Sequence, residues 1–244
     1  MNSENIRSAI ILCGGKSRRM GNDKGSMLIK EKPMFIHILD TLNNNIDEVV
    51  IVLNDNRRIA KYNSLIQDYK NLDNNDNNNK FIFNYNISFV EDEIKNKGPL
   101  SGLITGIKHI NGDYGLVLPC DSPFIKSDYI NYMFNILNRN SKKDIECIVP
   151  YNYGNTKILF ENIRNNKEIP INIQFKNSLI NNCEPLHGIY KKDIYKTISK
   201  LLDSENNVKS AINSLNSYFI PINEKEIAYI NFKNLNSKED LNNL

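Results

Sequence analysis

Residues 8–24 read SAIILCGGKSRRMGNDK, an apolar run followed by a glycine-rich and basic segment. The run over 8–13 has the length of a buried strand, and Gly14 and Gly15 end it. Adjacent glycines let backbone N–H groups approach a phosphate closely, and the basic side chains that follow add positive charge. The segment therefore predicts a strand that runs into an anion-binding loop. It matches neither the P-loop pattern nor the GxGxxG pattern.

Outward from this segment, predicted strands alternate with predicted helices through the first 150 residues. Apolar runs predict buried strands, and apolar residues at helical spacing predict amphipathic helices. The predicted strands lie at 8–13, 48–53, one or two within 81–90, 114–119 and 146–150. The predicted helices lie at 33–43, 57–69, 100–109 and 128–137. This order favours right-handed βαβ units and a mainly parallel sheet of the α/β class.

The pattern is less regular after residue 150. Predicted strands follow at 157–160, 169–175 and 229–232, and predicted helices at 189–202, 208–215 and 237–241. The polar stretch at 71–79 is predicted to be an exposed loop. Because the chain contains no recognisable repeat or linker, residues 1–244 are predicted to form one domain.

Composition narrows the class of protein. The chain has 40% hydrophobic residues, which suffices for a sizeable core, and a net charge of +3 that is spread along its length. Because the basic residues are not massed on one segment, we do not expect a nucleic-acid partner. We do not expect a membrane partner either, because the first apolar run is too short for a bilayer span or a signal core. The cysteines at 13, 120, 147 and 183 show no close spacing. They indicate neither a disulfide framework nor a zinc site, and a reduced, cytoplasmic location fits best.

Three polar segments are predicted to meet at one edge of the sheet. They are the loop after Cys13, Asn54 after the second predicted strand, and Asp121 after the strand at 114–119. In such sheets ligands bind beyond the carboxyl ends of the strands. Arg19 and Lys24 would supply the positive charge that a triphosphate requires. Asp121 is a candidate ligand for Mg²⁺.

Structural roles are the alternative for several of these residues. An Asp or Asn at the end of a strand is often a helix cap or a turn residue, which applies to Asn54, Asp92 and Asp121. Cys13 and Cys120 end strands that are predicted to be neighbours, and two small buried thiols are the simpler interpretation of that pair.

The string LCGGKSRRMGNDK over 12–24 resembles the LAGGxSxRMGxDK signature of the molybdenum cofactor guanylyltransferases. Four more segments are similar in order and spacing to later motifs of that family: 98–102 (GPLSG), 119–123 (PCDSP), 184–190 (EPLHGIY) and 234–241 (NLNSKEDL). The match is poor at about 70–86 and 151–182. The resemblance implies a three-layer, Rossmann-like α/β fold with a mainly parallel, mixed sheet of the nucleotide-diphospho-sugar transferase type.

The resemblance also implies a reaction. GTP and a molybdopterin-type pterin phosphate would give the guanine dinucleotide cofactor and pyrophosphate with the help of Mg²⁺. It implies catalytic roles for Arg19, Lys24 and Asp121, with Asp121 as the metal ligand. It assigns nucleotide contacts to Leu12, Cys13, Gly14, Gly15, Lys24, Asn54, Asp92 and Asp121. Proteins that insert the cofactor, or molybdoenzymes that receive it, are further partners that the resemblance implies.

The implied reaction needs no histidine as a general base. A terminal phosphate is mostly ionised at neutral pH, so the acceptor needs no general base. The three histidines, His37, His109 and His187, are accordingly given no catalytic role. Charge neutralisation and in-line alignment are what the reaction requires.

The sequence leaves alternatives for the nucleotide base and for the acceptor substrate. Gly14 leaves room for a purine edge, whereas related cytidylyltransferases tend to carry LAAG at this place, so guanine is favoured over cytosine. Asp23 also fits the guanylyl pattern better. A cytidylyltransferase for the same pterin, a phospholactate guanylyltransferase, a sugar-phosphate nucleotidyltransferase and a non-catalytic nucleotide-binding protein remain alternatives. The combination of Arg19, Lys24 and Asp121 argues against the last of these.

Overall fold

A seven-stranded mixed sheet forms the centre of the computed structural model, which describes residues 6–14, 23–73, 83–95, 97–152, 173–202, 207–222, 234–235 and 240. In chain order the strands are β1 (Ser8–Leu12), β2 (Leu28–Ile29), β3 (Lys32–Pro33), β4 (Glu48–Leu53), β5 (Asn86–Glu91), β6 (Tyr114–Pro119), β7 (Cys147–Asn152), β8 (Ile189–Lys191) and β9 (Ser217–Ile222). β2 and β3 form a separate antiparallel pair, and the others are ordered β5-β4-β1-β6-β8-β7-β9.

The parallel part of the sheet brings the predicted motifs together. β5, β4, β1 and β6 are parallel neighbours, and Leu12 of β1 pairs with Val52 on one side and Pro119 on the other. The segments that follow β1, β4 and β6 therefore leave the sheet side by side. β8 is antiparallel to both β6 and β7, and β9 pairs with β7 in parallel, which makes the sheet mixed.

Helices cover both faces of the sheet. They are α1 (Met34–Leu42), α2 (Arg57–Asp73), α3 (Gly98–His109), α4 (Ser127–Arg139), α5 (Ile173–Asn181), α6 (Tyr195–Ile198) and α7 (Val208–Ser214). Alternate residues of β1 point to opposite faces. Ile11 packs in the core with side chains of α1, α2 and α4, whereas Ile10 packs in the core with those of α3, α6 and α7. The predicted three-layer α/β architecture is confirmed.

Most predicted elements in the first 150 residues are confirmed. β4 and β6 have the predicted limits, while β5 begins at Asn86 rather than at the start of the predicted region. Residues 71–73 continue α2 instead of opening the predicted loop. None of the helices in the described part of the chain is long and apolar enough to cross a bilayer.

The later third contains the errors. A helix was predicted over 189–202, but Ile189–Lys191 form β8, and helical turns begin after it. Residues 173–175 were predicted as the end of a strand and belong to α5. β9 was not predicted, and its Pro221 is tolerated because β9 is the edge strand among those that the structure describes.

Four predictions remain open. The predicted strands at 157–160 and 229–232 lie outside the described residues. Of the predicted helix at 237–241 the structure describes Asp240, which is helical. That residues 1–244 form one domain stays a prediction.

Candidate active site

A cavity of about 890 Å³ opens where β1, β4, β5 and β6 end. It is lined by every predicted site residue that the structure describes: Leu12, Cys13, Gly14, Lys24, Asn54, Asp92 and Asp121. Gly15 and Arg19 lie outside the described residues, and their roles stay predictions. The predicted convergence of the motifs at the carboxyl edge of the sheet is confirmed for the residues that the structure describes.

Lys24 and Asp121 form an ion pair inside this cavity. The Nζ of Lys24 donates to Oδ2 of Asp121 at 3.0 Å, and the two side chains are 23% and 15% exposed. Lys24 begins a 3-10 turn, Lys24–Ser26, and Asp121 follows β6 by two residues. The pair places one cationic and one anionic group where a phosphate and a metal ion would each find a partner of opposite charge.

The turn that carries Lys24 lies directly over α2. A Cβ atom at Gly25 would lie 2.3 Å from the hydroxyl oxygen of Tyr62, so the turn can approach this closely only with glycine at that position. The preceding carboxylate of Asp23 accepts hydrogen bonds from Tyr62 (2.7 Å) and from Arg58. The carboxylate of Asp23 thus contacts α2 and also lines the cavity, and its predicted relation to the choice of base stays a prediction.

Arg58 is a cavity residue that the sequence analysis missed. Its guanidinium donates to the carboxylate of Asp23 and to Oδ1 of Asn54. A signal was present in the sequence, because Arg58, Tyr62 and Ile66 recur at a spacing of four residues, which puts Arg58 on the buried face of α2. The other cavity residues that were not predicted as site residues are Asp23, Val52, Asp55, Lys95, Gly98, Pro99, Gly102, Pro119, Cys120 and Leu186. Asn234, which the closing motif at 234–241 offers as a residue near the metal or the product phosphates, also lines the cavity.

Asp92 has a structural role in addition to lining the cavity. Its carboxylate accepts hydrogen bonds from Ser101 (2.7 Å), Thr105 (3.1 Å) and the backbone N–H of Ile94 (3.2 Å). Asp92 is 8% exposed, and these bonds connect the end of β5 with α3. The structural alternative for Asp92 is thus confirmed, and its predicted contact with the nucleotide stays a prediction.

Asn54 is fixed through both its side chain and its backbone. Its Oδ1 accepts from Arg58, and its carbonyl oxygen accepts from Nζ of Lys95 at 2.9 Å. With Oδ1 held by Arg58, the side-chain amide has a defined orientation at the rim of the cavity.

Gly14 faces open space. No atom of the described residues, apart from its chain neighbours, lies within 4 Å of the position that a Cβ would take there. An alanine would therefore meet no described protein atom, and any crowding that it caused would fall on a ligand. This agrees with the prediction that Gly14 leaves room for a base.

Asn234 lines the cavity and is connected by hydrogen bonds to the buried side chains of Ser122 and His187. The hydroxyl of Ser122 donates to Oδ1 of Asn234, and Nε2 of His187 lies 3.0 Å from the Ser122 hydroxyl oxygen. His187 is 1% exposed, and burial lowers its pKa to about 3. The ring is therefore neutral at physiological pH, and we assign the Nε2 proton to the bond with Ser122.

The buried His187 makes stability depend on pH. Because its pKa is near 6.5 in the unfolded chain and about 3 when folded, the unfolded state gains a proton as pH falls through 6.5 and the folded state does not. We expect this residue to lower the free energy of unfolding by about 1 kcal/mol between pH 7 and 5.5. Urea unfolding of the wild type and of His187→Gln at both pH values measures it. Equal pH dependence in the two proteins would contradict the neutral, buried imidazole.

Cys13 and Cys120 are the small buried thiols that the simpler interpretation predicted. They are 2% and 6% exposed, and both are free. Burial and the hydrogen bond with Cys120 raise the pKa of the Cys13 thiol. A protonated thiol is a poor nucleophile and a poor metal ligand, so the Cys13 side chain acts as packing at the cavity.

The residues present fit a magnesium ion that arrives with its nucleotide. Within the described ranges, no group of three or more His, Cys, Asp or Glu side chains is placed to hold a metal. Mg²⁺ is usually bound by one or two carboxylates together with substrate phosphates and water. The carboxylate of Asp121 and the amide oxygen of Asn234 are oxygen donors of the required kind in the same cavity.

The sequence was compared with those of known protein families and proteins. The sequence model of the MobA-like NTP transferase domain matches residues 9–218. The probable molybdenum cofactor guanylyltransferase of Methanothermobacter thermautotrophicus is 27% identical over 97% of this chain and 98% of its own. The one from Methanocaldococcus jannaschii is 26% identical, with 97% of each chain covered.

Two solved structures share the fold. Molybdopterin-guanine dinucleotide biosynthesis protein A from Archaeoglobus fulgidus has a TM-score of 0.66 at 17% identity, covering 97% of this chain and 95% of its own. The 4-diphosphocytidyl-2C-methyl-D-erythritol synthase of Anaerococcus prevotii has a TM-score of 0.62 at 14% identity, with the same coverage. At these identities the likeness concerns the fold alone, and it confirms the predicted transferase-type architecture.

Proposed function

Because this chain belongs to the MobA-like NTP transferase family, we propose that it transfers GMP from GTP to the terminal phosphate of a molybdopterin-type pterin. The products are the molybdopterin guanine dinucleotide cofactor and pyrophosphate. Relatives that match 97% of the chain are named as guanylyltransferases of the molybdenum cofactor, which supports both the base and the acceptor. The observation that carries the proposal is the Lys24–Asp121 pair in a cavity of nucleotide size at the carboxyl edge of the sheet.

The reaction is a displacement at the α-phosphorus of GTP. An oxygen of the pterin phosphate forms a bond to the α-phosphorus, and the bond between this phosphorus and the bridging oxygen to the β-phosphate breaks. The electron pair leaves with pyrophosphate. Since the acceptor is already an anion at neutral pH, the protein has to align two negatively charged reactants rather than remove a proton.

Lys24 is the residue that offsets this charge. Its ammonium group would contact the β- and γ-phosphates and stabilise the departing pyrophosphate. In the structure the ammonium contacts Asp121, so its position at the cavity is already defined before a triphosphate arrives. Arg19, at its predicted place in the loop, would add a second cationic contact.

Asp121 would hold Mg²⁺. When bound, the ion would neutralise phosphate charge and keep the triphosphate in one geometry. Asn234, whose Oδ1 accepts a hydrogen bond from Ser122, lines the same cavity and would face the same phosphates. Protein partners that supply or receive the pterin remain a prediction of the resemblance.

Pyrophosphate release tests the proposal directly. The purified protein is incubated with Mg²⁺ and one of GTP, CTP, ATP or UTP, with molybdopterin, with phospholactate, with a sugar phosphate, or without acceptor. We expect release with GTP and molybdopterin. Release with CTP or with another acceptor instead would support one of the alternative transferases. No release with any combination would support a nucleotide-binding protein without catalysis.

Gly14 provides a test of base choice. Gly14→Ala fills space that the described residues leave open, so stability should change little. We expect kcat/KM with GTP to fall about 10- to 100-fold, because an added methyl group excludes part of a closely fitting purine. The smaller cytosine should be affected less. Steady-state kinetics with GTP and CTP measure the ratio, and an equal fall for both would show that Gly14 does not select the base.

A further inference from the structure

We infer that Arg58 is a positioning residue of the nucleotide site, which holds the Lys24 turn and Asn54 in a fixed relation to each other. The inference rests on the proposed function, in which Lys24 contacts the phosphates, and on the nucleotide contact that the resemblance assigns to Asn54. Arg58 itself would act through Asp23 and Asn54 rather than by touching the reacting atoms.

The guanidinium of Arg58 connects two separate segments. Its Nε donates to Oδ2 of Asp23 at 3.1 Å and its Nη2 to Oδ1, which makes a bidentate pair. Its Nη1 donates to Oδ1 of Asn54. A planar guanidinium fixes the direction of all three bonds together, which an ammonium group cannot do. The residue before Lys24 and the residue after β4 are therefore bound to one rigid group.

The guanidinium has a rigid support. Its central carbon lies 5.4 Å from the centre of the Tyr62 ring, and that ring is buried and packs on Phe35 at 4.6 Å between centroids. The Tyr62 hydroxyl donates to Asp23 and also lies directly below Gly25. Tyr62 thus positions both the guanidinium and the turn that it holds, so the arrangement is built into the fold.

Charge gives Arg58 a second effect. Asp23 lies next to Lys24 in the chain and lines the same cavity, with a side chain that is 15% exposed. A carboxylate there would repel a triphosphate if it were not paired. Arg58 lies against both carboxylate oxygens, whereas Lys61 is 3.8 Å from one of them and is 52% exposed. Arg58 therefore neutralises most of the negative charge of the Asp23 carboxylate.

The neighbouring arginine is a matched control. Arg57 belongs to the same first turn of α2, but its side chain is 90% exposed and, within the part of the chain that the structure describes, neither lines the cavity nor hydrogen-bonds to Asp23 or Asn54. It pairs with Asp55, a side chain at the cavity edge that is 32% exposed. Removing Arg57 changes the net charge of the protein by the same amount as removing Arg58. A comparison of the two variants isolates the contacts of Arg58 from the general loss of one positive charge.

The test measures GTP binding by calorimetry with Mg²⁺, and kcat and KM by pyrophosphate release. We expect Arg58→Ala to lower kcat/KM about 10- to 100-fold, mainly through weaker GTP binding, and Arg57→Ala to stay within about twofold of the wild type. If Arg58 also acts by neutralising Asp23, the double variant Asp23→Asn with Arg58→Ala should bind GTP more tightly than Arg58→Ala alone. A purely structural role of Arg58 would not produce this recovery.

The outcomes separate the inference from the proposed function. If the wild type binds no GTP, the proposed function fails and the inference fails with it. If the wild type binds GTP and Arg58→Ala binds it as tightly as Arg57→Ala, the inference alone is overturned. Should Arg58→Ala not fold, Arg58→Lys replaces it, because it keeps the charge and loses the bidentate geometry. Equal GTP binding by Arg58→Lys and the wild type would then overturn the inference.

Discussion

Asp121→Asn should lower kcat/KM with GTP and molybdopterin by about 1,000-fold. The substitution keeps the size of the side chain and removes the negative charge that pairs with Lys24 and would hold Mg²⁺. An amide is a poorer ligand for Mg²⁺ than a carboxylate, and it does not attract the ammonium group of Lys24 as strongly. The loss should be measured by pyrophosphate release over a range of Mg²⁺ concentrations, since a weaker metal site also requires more metal.

The same strand offers a control for Asp121. Asp113 lies just before β6, at the opposite end from the cavity, and is exposed. Asp113→Asn changes the charge by the same amount and should leave kcat/KM within about twofold, as is usual for surface changes away from special features. If Asp121→Asn retained the activity of Asp113→Asn, the assignment of the metal to Asp121 would be wrong.

Lys24→Met should have the second-largest effect, a loss of about 100- to 1,000-fold in kcat/KM. Methionine keeps the length of the side chain and removes the charge. Because Lys24 would contact the phosphates that leave, we expect kcat to fall as well as affinity for GTP. Because the substitution leaves the mostly buried Asp121 carboxylate without this ion pair, thermal stability is measured on the same variant to separate a folding effect from the loss of activity.

Lys126 is a suitable control for Lys24, because it is exposed and precedes α4. Lys126→Met should leave both kcat and KM for GTP unchanged within about twofold. Should Lys24→Met raise KM while kcat stayed at the wild-type value, Lys24 would bind the nucleotide without stabilising the leaving pyrophosphate.

The sequence predicted the part of the fold that local patterns determine. Continuous apolar runs located β1, β4 and β6, and the rule that parallel strands carry ligands at their carboxyl ends brought Cys13, Asn54 and Asp121 together. These elements are buried on both faces, so their composition alone identifies them.

Elements that depend on distant partners were missed. β8 has three residues and is a strand because β6 and β7 lie on its two sides, a context that the helical periodicity of 189–202 does not contain. Among the strands that the structure describes, β9 pairs only with β7 and lies at the edge, where a strand tolerates Pro221. In both cases tertiary pairing overrides the local pattern.

Contacts between side chains in the site also depend on residues that are distant in the sequence, so they could not be predicted. Lys24 and Asp121 were predicted as individual residues, but their contact across the cavity depends on the packing of the turn over α2. Asp23 was linked to the choice of base by its motif alone. Arg58 was not predicted as a site residue, because the sequence does not distinguish it from the exposed Arg57 beside it. The spacing of Arg58 and Tyr62 on one helix face was the available signal.

The most direct test is a crystal structure of the protein with Mg²⁺ and a GTP analogue that cannot be cleaved between the α- and β-phosphates. The account predicts that the β- and γ-phosphates contact Nζ of Lys24, that Asp121 binds the metal ion, and that the guanine lies near Gly14 and Asn54. A nucleotide bound outside the cavity at the ends of β1, β4 and β6, or a metal ion bound without Asp121, would contradict it.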